Sequence, residues 1–296
     1  MTKILIATPA YGEMFYAPYV NSVIGLQKLM ARNNWDSAFA TIAYADIVES
    51  RNFLLSHFYD NTDASHLLFV DADMGYEPKL IDEMVRIDKP VVGVIAPKRQ
   101  IDLDRLAELA RKGEPTQRAI ARSHSFLIRP AKSGGKRPAI PGFVEVEGCG
   151  AGILLIKRDC IRTLLAKLPE LSDTAAGKTS PLALAKKLPR LIRAFDPLVV
   201  DGARLSEDFS FCHRWRQRCG GEVWANISHK ITHVGLQRFS GRYSDAMPSG
   251  PRIVMGTLPR KPATAGGQKP AVSVQEGNLK RPLGAPPATG KNGRRQ

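Results

Sequence analysis

The chain has 296 residues, which is enough for one large domain or two small ones. Hydrophobic residues make up 43% of it, so a sizeable core can form and wholesale disorder is excluded. No apolar run approaches the roughly 20 residues that a membrane helix needs, and the amino-terminal apolar run is too short for a secretory signal. The four cysteines show no paired spacing, which predicts free thiols in a cytoplasmic protein.

The formal net charge is +15 at neutral pH, and much of the excess lies near the carboxyl terminus. Residues 251–296 hold nine lysines and arginines against one glutamate, among many prolines and glycines. We therefore predict an ordered domain over residues 1–242 and a flexible basic tail over residues 243–296. The tail's charge suits weak contact with a polyanion or an anionic surface. No aromatic residue follows position 245, so stacking on nucleic-acid bases is not expected.

The first hundred residues alternate short apolar runs with amphipathic segments. This alternation predicts an α/β fold with a mostly parallel sheet and helices on both faces. The predicted strands cover residues 3–8, 41–45, 65–73 and 90–97, and the predicted helices cover residues 19–30 and 47–58. Two insertions are expected at about 98–141 and 172–195, and the first includes a helix over 103–111. A helix over 206–219 and a strand over 222–227 follow.

The run of apolar residues 67–70 leads directly into Asp71-Ala72-Asp73. An uninterrupted apolar segment of this kind is typical of a strand buried on both faces. If the strand continues to residue 73, Asp71 and Asp73 point to the same side. Two carboxylates at a buried strand end need a positive partner, and a hard divalent cation with oxygen ligands supplies one. Open α/β sheets bind ligands at this edge, so we predict a cation site there.

Arg51 lies on the apolar face of its predicted helix, where it needs either an acidic partner or an anionic ligand. Further along, Gly148, Gly150 and Gly152 interrupt a strand-like segment, which indicates a bulge or a close approach of backbone to a ligand. Ser206 is a good N-cap for the helix that opens with Glu207 and Asp208. These acidic residues either stabilise the positive end of the helix dipole or carry chemistry.

His229 and His233 are four residues apart in a strand-like segment. In a strand this spacing separates them by roughly 13 Å, so we exclude a zinc pair. A single ligand from His233 and an ordinary buried histidine both remain open.

Four motifs occur in order: ILIATP at 4–9, VDAD at 70–73, SEDFSFCHRW at 206–215 and HKITHVG at 229–235. Together they make the chain resemble the family 2-like glycosyltransferases of the GT-A fold, over about residues 3–238. The resemblance implies a nucleotide-binding αβα sandwich with a mixed sheet. It also implies transfer of a sugar from a nucleoside-diphosphate sugar to an acceptor hydroxyl.

The resemblance further implies that Asp71, Asp73 and His233 hold a divalent cation, Mn²⁺ or Mg²⁺, with the two aspartates also meeting the nucleotide. The acidic pair would lie near the acceptor, with Asp208 as the first candidate for the base and Glu207 as the second. The acceptor class stays open among a glycan, a lipid-linked acceptor and a protein.

Five more residues take donor-binding roles by the same resemblance. Thr8, Pro9 and Tyr11 follow the first strand, where such proteins hold the base and ribose. Asp46 ends the second predicted strand and would also meet the nucleoside, and Arg51 would reach the diphosphate.

The chain departs from many family members in one motif. A Gln-x-x-Arg-Trp segment is missing after the acidic pair, where only Arg214-Trp215 stands. A processive polymerase is therefore not expected.

Three other functions are compatible with parts of the pattern. Dehalogenase-like phosphatases use an Asp-x-Asp motif but place it on the first strand, and nucleotidyltransferases share the fold class but carry a glycine-rich amino-terminal loop. A polyanion-binding protein would rest on charge alone. The donor nucleotide, the sugar, the acceptor, the stereochemical outcome and the oligomeric state are left open by the sequence.

Overall fold

The computed structural model describes residues 1–130, 140–176 and 180–236. The chain separates into two units, Met1–Arg238 and Phe239–Gln296, and every described residue belongs to the first. The predicted basic tail lies outside the described residues, so its prediction stays a prediction. Within the described ranges, no helix has the length and apolar character needed to cross a membrane. The four cysteines all lie in these ranges, and they are buried free thiols, as predicted.

The described residues form short strands connected by helices. The strands are β1 Lys3–Pro9, β2 Asp36–Ile42, β3 His66–Val70, β4 Met74–Gly75, β5 Val91–Val94, β6 Pro97–Ile101, β7 His124–Phe126, β8 Ile128–Pro130, β9 Phe143–Cys149, β10 Ile153–Lys157, β11 Ser172–Asp173, β12 Leu191–Ile192, β13 Val199–Val200, β14 Ala203–Arg204, β15 Val223–Asn226 and β16 Thr232–His233. The helices are α1 Ala17–Arg32, α2 Ile47–Asn61, α3 Pro78–Arg86, α4 Leu103–Arg111, α5 Thr116–Arg122, α6 Arg158–Lys167, α7 Pro181–Ala185 and α8 Glu207–His213.

The central sheet has eight strands in the order β2-β1-β3-β10-β5-β15-β9-β8. Strands β9 and β10 run opposite to the other six. The sheet is therefore mixed and mostly parallel, which confirms the predicted fold class. The remaining strands form two-stranded ribbons, including β6 with β7 and β4 with β16.

Strand β3 shows how the two layers are built. Its residues alternate between the two hydrophobic cores, with Leu67 and Phe69 in one core and Leu68 and Val70 in the other. Helices α2, α6 and α8 contribute to the first core, and α1 and α3 to the second. Burial of each such side chain stabilises the fold by about 1.5–3 kcal/mol. This is the αβα sandwich that the resemblance implies.

The second strand was predicted wrongly at residues 41–45, because β2 spans Asp36–Ile42 and pairs in parallel with β1 along its whole length. Since β2 is an edge strand, most of its residues are exposed and its sequence lacks an apolar run. Asp46 does not end this strand. It is the N-cap of α2, where its carboxylate accepts hydrogen bonds from the Val48 and Glu49 amides.

Strand β3 ends at Val70, three residues earlier than predicted. Asp71 and Asp73 stand in a turn in which the Met74 amide donates to the Asp71 carbonyl at 3.0 Å. The turn, rather than strand alternation, therefore determines the positions of their side chains. The predicted helix over 206–219 also differs, because α8 ends at His213 and a π-helical segment, Arg214–Arg218, follows it.

Candidate active site

A pocket of about 160 Å³ opens beside the end of β3. Its floor is the backbone of residues 150–152, which connects β9 to β10. Several of the predicted site residues line it together with a lysine that the sequence did not single out. Its charged and ionisable residues are Arg51, Asp71, Lys98, Glu207, Asp208 and His233.

Arg51 connects the parts of this pocket. Its side chain is only 3% exposed, although it comes from the same helix as core residues. The Nη2 group donates to both carboxylate oxygens of Asp71 at 3.1 Å, and Nη1 donates to the Ala151 carbonyl at 3.1 Å. The Nε atom lies 3.5 Å from Oε1 of Glu207. The arginine on the apolar stripe thus has two acidic partners, and it fixes both.

The charges in this cluster shift one another's pKa values. Burial opposes the charge on Arg51, but the carboxylates of Asp71, Glu207 and Asp208 outweigh burial and raise the pKa of Arg51. Burial raises the pKa of Asp71, against the lowering effect of Arg51. Burial likewise raises the pKa of Glu207, against Arg51 and with the help of Asp208. Arg51 therefore stays charged. Its positive charge favours the ionised form of the Asp71 and Glu207 carboxylates, in opposition to the effect of burial.

Asp208 presents one oxygen to the pocket. The residue is buried, and its Oδ1 accepts hydrogen bonds from the Ser206 hydroxyl and, at 2.7 Å, from the Phe209 amide. Its Oδ2 lies on the side of Gly150, which lines the pocket, since a Cβ built on Gly150 would lie 3.6 Å from that oxygen. Ser206 stands at the N-cap position of α8, but its side chain makes no hydrogen bond to the helix backbone. Its hydroxyl instead donates to Asp208 and orients that carboxylate.

Asp73 lies beside two basic side chains. Its Oδ2 lies 3.2 Å from Nη1 of Arg99 and 3.4 Å from Nε2 of His233. The other ring nitrogen of His233, Nδ1, donates to the Pro97 carbonyl at 2.8 Å, which fixes the ring. The interaction with Asp73 raises the pKa of His233.

The glycines between β9 and β10 allow the backbone to come close to the acidic residues. A Cβ on Gly152 would lie 2.4 Å from Cε of Met74 and 3.4 Å from Oδ2 of Asp71. A Cβ on Gly150 would lie 2.9 Å from Leu127. Side chains at these positions would clash with Met74 and Leu127, which line the pocket, so close packing requires glycine there. The approach of this backbone to a ligand stays a prediction.

The structure does not bring the predicted nucleoside residues into this pocket. Thr8 is buried and its hydroxyl shares a 2.6 Å hydrogen bond with the Tyr19 hydroxyl. Pro9 ends β1, and Tyr11 is 71% exposed in the short turn that follows. Asp46 uses its carboxylate to cap α2. Contact of these residues with a nucleoside stays a prediction.

The two late histidines have separate partners. His229 Nε2 lies 2.9 Å from Oε2 of Glu83 on α3, whereas His233 contacts Asp73. In the part of the chain that the structure describes, no group of three or more His, Cys, Asp or Glu side chains is arranged to hold a metal ion. A cation at this site would therefore need ligands from its substrate or from water.

Asp73 and His233 fit such a shared site. Neighbouring ligands of an octahedral cation, each at 2.0–2.1 Å, stand about 3 Å apart. The 3.4 Å between Oδ2 of Asp73 and Nε2 of His233 is close to that separation. Arg99 contacts the same oxygen, and its side chain is 57% exposed.

Sequence reasoning missed Lys98 and Arg99. Both lie in β6, inside the charged stretch that was predicted as an insertion. The contact of Arg99 with Asp73 depends on a turn after β5 that returns the chain to the site. A pair of basic residues directly after the strand predicted over 90–97 was the only signal in the sequence.

No family model and no curated protein matches the chain. Among solved structures, similar folds include the STIV protein A197, at 16% identity and a TM-score of 0.41, covering 79% of this chain and 86% of that one. Drosophila β1,4-galactosyltransferase 7, solved with manganese, UDP-Gal and xylobiose, is similar at 12% identity and a TM-score of 0.36, covering 88% and 80%. GalNAc-T7, solved with UDP, GalNAc and Mn²⁺, is similar at 12% identity and a TM-score of 0.41, covering 87% of this chain and 46% of that one.

These similarities concern the α/β fold, and no residue's role is taken from them. The mixed sheet of this chain, with helices on both faces, is the architecture that the resemblance noted from the sequence implies.

Proposed function

We propose that the chain is a metal-dependent glycosyltransferase that moves a sugar from a nucleoside-diphosphate sugar to an acceptor hydroxyl. The observation that carries the proposal is the meeting of Asp71, Glu207, Asp208 and His233 in one pocket around Arg51. These residues come from distant parts of the sequence, and the pocket lies at the sheet edge where α/β proteins bind ligands.

Asp73 and His233 would hold the divalent cation, with Asp71 beside them and the donor's phosphates completing the ligand set. When bound, the cation supplies Lewis-acid stabilisation of the negative charge that develops on the departing diphosphate. Arg51 orients the Asp71 carboxylate through its two 3.1 Å contacts, and its positive charge favours the ionised form of that carboxylate.

Asp208 is the candidate base, because its Oδ2 faces the pocket while Oδ1 is held by Ser206 and the Phe209 amide. The acceptor oxygen bonds to the anomeric carbon, the bond from that carbon to the diphosphate breaks, and Asp208 takes the hydroxyl proton. Glu207 is the second candidate, since its pairing with Arg51 at 3.5 Å makes it less free to accept a proton.

The proposal is tested by incubating the full chain with a panel of nucleoside-diphosphate sugars and Mn²⁺, and by measuring release of the nucleoside diphosphate. We expect turnover with at least one donor and none when the cation is chelated. Release of pyrophosphate from a nucleoside triphosphate and a sugar phosphate, with no turnover of any nucleoside-diphosphate sugar, would contradict the proposal and identify a nucleotidyltransferase.

A further inference from the structure

The two edges of the central sheet are built differently. The edge strand β8 has only three residues, which include Arg129 and Pro130, and its register with β9 is irregular. Short length, charge, proline and irregular register all hinder pairing of an edge with another chain. The opposite edge strand, β2, has seven residues in unbroken register with β1 and contains no lysine, arginine or proline. The β2 edge therefore lacks the features that protect the β8 edge.

Half of the backbone groups of β2 point away from the sheet. The Asp36 amide donates to the Thr2 carbonyl at 3.0 Å, and the Ile42 carbonyl accepts from the Ala10 amide at 2.9 Å. Even-numbered residues of β2 therefore bond to β1, and because the direction alternates along a strand, the odd-numbered ones point outward. These outward-facing residues are Ser37, Phe39 and Thr41. In the ranges that the structure describes, no strand pairs with β2 on that side.

An exposed apolar strip lies along this open edge. The Ser37 hydroxyl donates to the Gln27 side chain of α1 at 2.9 Å, so this face of β2 lies beside α1. Because α1 connects two parallel strands, it runs against β2, and residues that precede Gln27 lie towards Phe39. Val20 and Ile24 share a helical stripe with Gln27, and both are exposed, as is Phe39.

The sequence of β2 is complementary to itself in an antiparallel arrangement centred on Phe39. Ala38 then faces Ala40 of the second strand, and the hydroxyl residues 37 and 41 face each other. Since the odd-numbered residues point outward, the pairs 39–39, 37–41 and 41–37 each exchange two N–H···O bonds. Asp36, the one charged residue of β2, falls opposite Ile42, so like charges do not face each other.

We propose that the β2 edge binds a second copy of this chain through antiparallel pairing of the two β2 strands about Phe39. Val20 and Ile24 pack across the two-fold axis, and one sheet continues through both copies. A second copy fits this edge better than a charged partner, because the edge is self-complementary and its centre is uncharged. The inference does not depend on the proposed function.

Sedimentation equilibrium of the full chain over a range of concentrations tests this inference. The variant is Phe39→Lys, which would place two lysines opposite each other at the axis. The control is Phe126→Lys on β7, because Phe126 is exposed to nearly the same extent, 46% against 48% for Phe39. Circular dichroism checks that each protein is folded.

We expect the mass of the wild type to rise with concentration from that of one chain to that of two. Phe39→Lys should weaken this association at least tenfold, and Phe126→Lys should leave it unchanged.

Amide hydrogen exchange of the wild type tests the same interface without any substitution. The Phe39 and Thr41 amides should become protected as concentration rises, because only the second copy gives them an acceptor. The Ala38 and Ala40 amides should be protected at every concentration, since they already bond to β1.

A single-chain mass at every concentration would overturn the inference, and so would a dimer that Phe39→Lys leaves equally stable. Protection of the Phe39 amide that does not change with concentration would also overturn it, because a segment of the same chain, such as one within residues 237–296, would then cover the edge.

Discussion

The two aspartates of the Asp-x-Asp motif are two residues apart, but they lie in different surroundings. Asp71 is held through both oxygens by Arg51, a side chain that is 3% exposed and that comes from the core helix α2. Asp73 contacts Arg99, which is 57% exposed and comes from β6. One arginine is buried in the fold, and the other is accessible to solvent.

This difference distinguishes a charge pair that the fold requires from a pair in which a ligand can replace one partner. Removing one partner of a buried pair leaves an uncompensated charge, so the buried arrangement is kept whether or not a ligand is present. An exposed pair contributes little and can be replaced by a stronger interaction. We therefore expect Asp71 to be positioned in advance, and Asp73 to exchange Arg99 for a cation.

We expect the largest effect on activity from Asp208→Asn, a substitution in the pocket that contains the buried Arg51. Loss of a general base typically lowers turnover by about 10²–10⁴-fold, and the amide keeps the size of the side chain. Steady-state rates with a saturating donor measure this effect, and UDP binding serves as the control. Glu207→Gln should lower turnover less. Full activity of Asp208→Asn would exclude it as the base.

Arg51→Met tests the structural role directly. It leaves the carboxylates of Asp71 and Glu207 without their buried partner, so we expect the free energy of unfolding to fall by about 3–5 kcal/mol. Urea denaturation measures the loss. The matched variant, Arg99→Met, removes an exposed arginine from the neighbouring aspartate and should cost less than about 1 kcal/mol. Equal losses in the two variants would contradict the comparison.

Arg99→Ala tests whether the exposed arginine competes with a cation for Asp73. Because Arg99 contacts the same Asp73 oxygen that a cation would use, its removal should tighten Mn²⁺ binding by up to about fivefold, the equivalent of 1 kcal/mol or less. Calorimetric titration of Mn²⁺ measures the change. Arg105→Ala, on the exposed face of α4, is the control. Weaker Mn²⁺ binding in Arg99→Ala would show that Arg99 supports the cation instead of competing with it.

The smallest effect is a pH dependence of stability. Burial raises the pKa of Glu207 in the folded state, so the unfolded chain loses this proton first as pH rises. Between the unfolded pKa, about 4.3, and the higher folded pKa, the free energy of unfolding therefore decreases with increasing pH. Glu207→Gln removes this contribution. Urea titrations at several pH values should give a shallower decrease for the variant, and an unchanged slope would contradict the assignment.

The strongest sequence signal came from burial on both faces. The apolar run before Asp71 predicted β3 correctly because a strand between two cores needs hydrophobic residues at every position. The edge strand β2 gave no such signal, since most of its residues are exposed and its position depends on pairing with β1. The sequence therefore identified the centre of the sheet better than its edge.

The candidate site shows the same limit. Arg51 was recognisable because a charge on an apolar stripe needs a partner, although the sequence did not say that this partner would be Asp71 together with Glu207. Lys98 and Arg99 were not recognisable, because their place depends on β6 pairing with β7 and returning to His233. Long-range pairing of an exposed ribbon leaves no periodic pattern in the chain.

Binding of UDP to the full chain, with and without Mn²⁺ and in the Asp73→Asn variant, tests the cation-dependent site most directly. The account predicts that wild-type binding requires Mn²⁺ and that Asp73→Asn weakens it at least tenfold, while the free energy of unfolding stays within about 1 kcal/mol. Equal UDP affinity in the presence and absence of the cation, or in the wild type and Asp73→Asn, would contradict it.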